Sequence, residues 1–182
     1  MAKASRKTFD QVLIFLGIVI TIVLLAFGAL ALYGSHFAKT EVTNQLSAQR
    51  IYFPPAGSPA ISALPAADQA EMNRYAGQLM SNGLQAKVYA DNFIAVHLSE
   101  VAGGKTYAEV STAALANPTD QKLATQKAVL FQGETLRGLL LTGYAYWTFG
   151  TIAAYAAIAS FAGAALMFLL VIMGLAHLSR LK

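Results

Sequence analysis

The chain has no cysteine. That excludes disulfides, a thiolate nucleophile and thiolate metal centres. Charge is also scarce: Asp, Glu, Lys and Arg make up 12% of the 182 residues, against roughly 25% in soluble domains. Histidine is limited to His36, His97 and His177. Proline is confined to Pro54, Pro55, Pro59, Pro65 and Pro118, which leaves long stretches free to form uninterrupted helix. There is no G-x-S-x-G stretch that would activate a serine.

Apolar sequence is what the chain has instead. Val12 to Tyr33 reads without a charge, and so does Gly138 to Leu178 apart from His177, with its densest part from Trp147 to Leu175. About 20 apolar residues, rising 1.5 Å each, cross a hydrocarbon core of roughly 30 Å. A backbone in lipid must satisfy its own hydrogen bonds, so each run is expected to be a transmembrane α-helix. The boundaries fall at 12–33 and 144–177, leaving tails 1–11 and 178–182 and a middle segment 34–143. Lys3, Arg6 and Lys7 before the first run, and Ala29-Leu30-Ala31 near its end, resemble a signal peptide. The run is longer than the 7–15 residues of a usual signal core, so an uncleaved anchor is expected.

The formal charge of +4 lies entirely on the tails. They carry Lys3, Arg6, Lys7, Arg180 and Lys182 against Asp10, while Gly34 to Gly143 carries eight bases and eight acids. Basic tails flanking apolar helices predict a cell-membrane protein with both termini cytoplasmic and the middle segment extracytoplasmic. The basic balance therefore reports topology and gives no reason to expect nucleic acid as a partner.

The middle segment reads as helical. Lys39 to Arg50 is a polar extension of the first membrane helix. Ile51 to Pro65, IYFPPAGSPAISALP, is an extended connector anchored by Ile51, Tyr52 and Phe53, because its prolines break regular structure. A helix from Pro65 to about Met80 is expected to stop at Asn82-Gly83, a C-terminal cap signal. In LQAKVYADNFIAVHLSE, Tyr89, Phe93 and Val96 recur at helical spacing and predict a buried face. Ala102-Gly103-Gly104 ends that helix. Thr106 followed by Glu109 is a capping box for a short helix to about Ala116. Asn117 to Asp120 then starts a long helix that enters the membrane, in which Gly133, Gly138 and Gly143 allow a kink.

Motifs for chemistry are weak. Ala102 to Thr106, AGGKT, would be a phosphate loop only with glycine five residues before Gly104, where Ser99 stands. His97 and Glu100 share a helix face, but Asp91 lies well around the helix from His97 and no second histidine is close in sequence. Asn117-Pro118-Thr119 fails as a glycosylation sequon because of its proline. No Asp, Glu, Lys or Arg lies in the core of either apolar run, which argues against a pump or carrier acting alone. No catalytic residue, metal or cofactor is expected.

The second apolar run is instead rich in small residues: GTIAAYAAIASFAGAALM, Gly150 to Met167. In lipid, small residues let helix backbones approach closely. Gly150, Ala154 and Ala157 form one stripe, and Ala156, Ser160, Gly163 and Ala164 a second. Gly17, Thr21 and Gly28 give the first run a stripe of its own. One stripe is expected to pack the two runs together and the second to meet another protein. Tyr144, Tyr146 and Trp147 are expected as interfacial anchors.

The phrases AKVYADNFIAVHL, GGKTYAEVS and GETLRGLLLTGYAYWTFGTIAAYAAIA resemble small two-pass membrane proteins of actinobacteria that have no established function. Some of these carry a label as aromatic ring-opening dioxygenases, which would imply an iron or zinc site that three scattered histidines do not supply. The resemblance implies the host type and no mechanism. The expected fold is an all-α membrane protein whose two transmembrane helices flank a mainly helical extracytoplasmic domain. The expected function is a non-catalytic accessory or assembly subunit of a larger membrane complex. Its partners would be other integral membrane subunits, of a respiratory or transport complex, or a second copy of the chain. The alternative is an extracytoplasmic domain that binds or senses a lipid or peptide.

Overall fold

The computed structural model describes residues 3–180. Of the tail charges behind the expected orientation, Lys182 and the side chain of Lys3 lie outside the described residues. Seven α-helices account for most of the chain: α1 Lys3–Ala48, α2 Pro59–Ser62, α3 Ala66–Asn73, α4 Gly83–Tyr89, α5 Ala95–Ala102, α6 Tyr107–Ala116 and α7 Gln121–Arg180, with a π-helical turn at Ala90–Ile94 between α4 and α5. No strand occurs among the described residues, only an isolated antiparallel bridge between Tyr52 and Leu79. Two helices are long and apolar enough to cross a membrane, with mean hydropathy reaching 3.0 in α1 and 2.4 in α7. Only 17% of each such window is buried within the protein. A core helix of a soluble protein would be mostly covered, so these two present their apolar surface outward.

The chain forms two compact units: a helix pair, made of the residues up to Phe37 and from Phe149 on, and a middle unit, Ala38–Thr148. In the helix pair, Ile14 faces Gly174, Gly17 faces Val171, Leu24 faces Gly163 and Gly28 faces Phe161. One number rises as the other falls, so the register is antiparallel. The covered positions on α1 are 14, 17, 21, 24, 28, 31 and 35, and on α7 they are 157, 160, 164, 167, 171, 174 and 178. Spacings of three and four alternate on both helices. A mean period of 3.5 is the left-handed coiled-coil geometry, in which one seam stays against its partner.

The middle unit builds its core from Val42 and Leu46 of α1, Ile61 of α2, Met72 of α3, Phe53 and Met80 between helices, and Leu130 and Leu140 of α7. The proline-rich connector is held at both ends. Phe53 is 1% exposed whereas Tyr52 is 60% exposed, so Tyr52 does not anchor it. The Met80 amide donates to the Ile51 carbonyl at 2.8 Å, and the Phe53 amide to Gln78 at 2.9 Å. That pairing corrects the helix expected to reach Met80. Helix α3 ends at Asn73, and residues 77–80 run extended to supply the connector's missing partners, with Gly77 at φ +72 making the turn.

Asn82 is likewise an N-cap rather than a C-terminal stop. Its side chain accepts from the Gln85 amide at 3.0 Å, while Gln85 Oε1 accepts from the Asn82 amide at 3.2 Å. This is a capping box for α4, made of Asn and Gln in place of the commoner Ser/Thr and Glu. The expected box at Thr106 and Glu109 is present, as is the start at Asp120, which accepts from Lys122 and Leu123 amides. Gly133, Gly138 and Gly143 interrupt nothing, because α7 is one α-helix of 60 residues.

The fully covered line from α4 to α5 is Ala86, Ala90, Ile94, Leu98 and Ala102, while Tyr89, Phe93 and Val96 pack at its edge. In an unbroken α-helix, steps of four drift by about 40° each, turning Leu98 about 120° from Ala86. The π-helical turn takes up one residue's rotation and brings Leu98 to within about 20° of Ala86. Small Ala86 and Ala90, 0% exposed, let the neighbouring segments close over this line.

A Cβ on Gly83 would sit 2.3 Å from Trp147 Cβ and 3.0 Å from the Tyr144 backbone, whereas one on Gly138 would meet nothing within 4 Å. Gly83→Ala is expected to lower the unfolding free energy by about 1–3 kcal/mol. Gly138→Ala is expected to raise it by about 0.5–1 kcal/mol. Thermal unfolding of both variants in one detergent checks the pair; equal midpoints would refute the close packing at Gly83.

Candidate functional site

The residues singled out for helix packing lie in the helix pair. Gly17, Thr21 and Gly28 of α1 are all buried. Thr21 satisfies its hydroxyl by donating to the Gly17 carbonyl at 2.8 Å, which suits a side chain with no water to bond. On α7, Gly150, Ala157, Ser160 and Ala164 are buried, while Ala154, Ala156 and Gly163 are half-buried. Members of both expected stripes therefore lie on one face. The physical reason is the period. At 3.6 residues per turn Ala164 lies only about 20° around the helix from Ala157, and Ser160 about 60°, so the two stripes overlap on one face of α7. Of the small-residue face expected to meet another protein, Ser160 and Ala164 are buried within this chain and Ala156 and Gly163 are half-buried. The outward side of α7 carries larger groups, such as Ile152, Tyr155, Ile158, Leu166 and Leu169.

The three expected anchors differ in role. Tyr146 is 59% exposed. Trp147 is half-buried against Gly83, with Lys39 Nζ 5.2 Å from its ring centroid. Lys87 Nζ stands 5.4 Å from the ring of Tyr144. These cation–π placements tie the end of the middle unit's share of α7 to its neighbours in that unit. Sequence gave no sign of this use of Tyr144 and Trp147, because their partners Gly83, Lys39 and Lys87 are far away along the chain.

The charged centre of the middle unit is Asp91. Its Oδ2 accepts from Lys87 at 2.6 Å and its Oδ1 from Arg137 at 3.2 Å. Arg137 also reaches Glu134 at 3.4 Å, and its Nε is buried without a partner. Desolvation pushes the Asp91 carboxyl upward, but hydrogen bonds from Lys87 and Arg137, with their charges, outweigh it and hold Asp91 below its ordinary range. Burial pushes the Tyr89 phenol up. Backbone and side-chain hydrogen bonds from Thr106 hold Glu109 low.

Asp91 is thus engaged away from His97, whose Nδ1 lies 2.7 Å from the Phe93 carbonyl and whose ring lies tilted against that of Phe93. Among the described residues no three His, Asp or Glu side chains are grouped to hold a metal. The glycines of AGGKT form a helix end. Gly103 and Gly104 take φ +60 and +78, and their amides bond the Glu100 and Ser99 carbonyls. Those amides are not free to cradle a phosphate.

One feature had no sequence signal. At the end of the helix pair nearest the chain termini is a cavity of about 230 Å³, lined among others by Asp10, Gly17, Gly174 and His177. Asp10 Oδ2 is buried there without a partner. Asp10 reads along the sequence as one charge in a tail, and only the register of the pair brings it opposite Gly174 and His177.

No family model, curated protein or solved structure matches the chain.

The lowered Asp91 carboxyl contributes stability that is complete above the ordinary carboxylate range and is lost as pH falls through the lower folded-state value. Asp91→Asn is expected to cost about 1 kcal/mol near neutral pH, since the pair is partly solvated. Urea unfolding of both proteins over an acid series checks it. The gap should narrow as pH falls; a gap independent of pH would mean that Asp91 acts through packing alone.

Proposed function

We propose that this protein is a non-catalytic accessory or assembly subunit of a larger membrane complex. In this reading α1 and α7 cross the cell membrane, both tails are cytoplasmic, and the middle unit is extracytoplasmic. Lipid is the solvent that suits two helices whose apolar windows are 17% buried, and the four net charges on the tails favour the orientation.

The observation that carries the subunit role is the outward face of α7 in the middle unit. Leu130 and Leu140 point into the core, yet Val129, Leu136 and Leu139, neighbours on one side of α7 at spacings of seven and three, are exposed, the last at 65%. A Cβ on Gly143 would meet nothing within 4 Å. An apolar strip of this kind outside a finished core fits another protein better than water. The partner fitting it is an integral membrane subunit, because the strip runs toward the apolar part of the same helix.

The alternative, a lipid- or peptide-binding middle unit, draws little support from its aromatic residues. Tyr89 packs edge-on against Phe53 at 5.3 Å and against Phe93 at 4.9 Å, and Tyr107 lies 5.9 Å from Phe131. They contact one another rather than standing around open space.

Extraction in mild detergent through a C-terminal tag tests the subunit role. A stoichiometric membrane partner is expected, and Leu136→Glu should release it without lowering the unfolding temperature. A lone monomer with no companion would overturn the role. Orientation has a separate check, made clean by the absence of cysteine. A membrane-impermeant maleimide added to intact cells should label Leu115→Cys and spare Lys7→Cys.

A further inference from the structure

The cavity at the Asp10 end of the helix pair has the chemistry of a small built site. Its polar groups are Asp10 on α1 and His177 on α7. Two of its lining residues, Gly17 and Gly174, carry no side chain, and Val171 and Ile14 pack over them as part of its wall. Asp10 Oδ2 is buried and unpartnered, and a buried carboxylate oxygen calls for a donor. The nearest bases in sequence, Arg6 and Lys7, are exposed and form no ion pair with it among the described residues. The remaining walls are apolar. Leu13 and Leu170, each about half exposed, stand between the cavity and the outside of the pair.

We infer that this cavity binds the primary ammonium group of an aminophospholipid, with Asp10 as its acceptor. The inference rests on the reading that both helices lie in lipid. A carboxylate excludes an anionic head group. A primary ammonium offers three N–H donors, which Asp10 and a ring nitrogen of His177 can accept. A choline head group has no N–H and would need an aromatic cage, and no aromatic ring other than the His177 imidazole lines the cavity. One carboxylate and one imidazole are too few for calcium or zinc. The cavity holds about seven waters' worth of volume, enough for an ethanolamine group. Acyl chains would lie along Leu13 and Leu170, and the exposed Arg180 and Lys7 stand one turn from His177 and Asp10 to meet the head-group phosphate.

The test uses the full-length protein in nanodiscs of phosphatidylcholine alone, or with phosphatidylethanolamine or phosphatidylglycerol, reading the unfolding temperature and the lipid retained in native mass spectrometry. Phosphatidylethanolamine is expected to be retained about tenfold over the other two, and Asp10→Asn to abolish that preference. Equal retention of all three lipids, or an Asp10→Asn variant that keeps the preference, overturns the site. If Asp10→Asn does not fold, Leu170→Trp decides: it fills the cavity from an exposed position, loss of the preference supports the site, and its retention overturns it. Free ethanolamine that raises the unfolding temperature as much as the lipid overturns the lipid source. A chain that stays dispersed without detergent would fail the membrane reading itself, a result separable from all the others.

Discussion

Glycine stands where a large side chain of one helix meets the backbone of another, and both units depend on that contact. In the helix pair, Val171 lies over Gly17, Phe161 over Gly28 and Ile14 over Gly174. In the middle unit, Trp147 lies over Gly83 and Leu98 over Gly133, at distances no added methyl could share. Dispersion falls steeply with separation, so contact of this kind gains most where the backbone itself forms the floor. It matters more in lipid, where apolar side chains gain little by leaving one apolar solvent for another. The alanine-rich composition of α7 follows from this: its small residues bring α1 close while its outward side stays bulky.

Legibility of the sequence tracks the range of the interactions. The two long helices, the Thr106 cap and the start at Asp120 were all readable because each rests on neighbours within a few residues. The Asn82 cap was equally local but was assigned to the wrong helix, since Asn-Gly also ends helices and Gln85 was the deciding residue. The end of α3 at Asn73 depends on residues 51–53, which need partners some 25 residues away along the chain. The grouping of Ala157 with Ser160 and Ala164 was within reach of the sequence, because positions seven apart stand only about 20° apart on any α-helix. The pairing of Asp91 with Arg137 and the cavity at Asp10 belong, with the end of α3, to the class of long-range placement.

The polar and aromatic side chains of the middle unit are spent largely on its own fold. Charged side chains in the middle unit are used on one another, as at Asp91, or on helix ends, as at Glu109. Aromatic rings touch in a sequence from Tyr75 through the buried Phe53 to Tyr89 and Phe93 at the edge of the core, and on to the exposed His97. What stays uncommitted is surface: the outward apolar face of α7 and one buried carboxylate oxygen.

The π-helical turn at Ala90–Ile94 bears on how this chain can change length. A chain one residue shorter within that turn would close a regular α-helix with Leu98 still directed at Gly133. A residue removed with the π-helical turn kept would swing Leu98 by about 100° and leave the Gly133 floor uncovered. The helix thus holds a spare residue at a single place. Deletions there are the ones the fold can absorb, and insertions beside it are the ones it cannot.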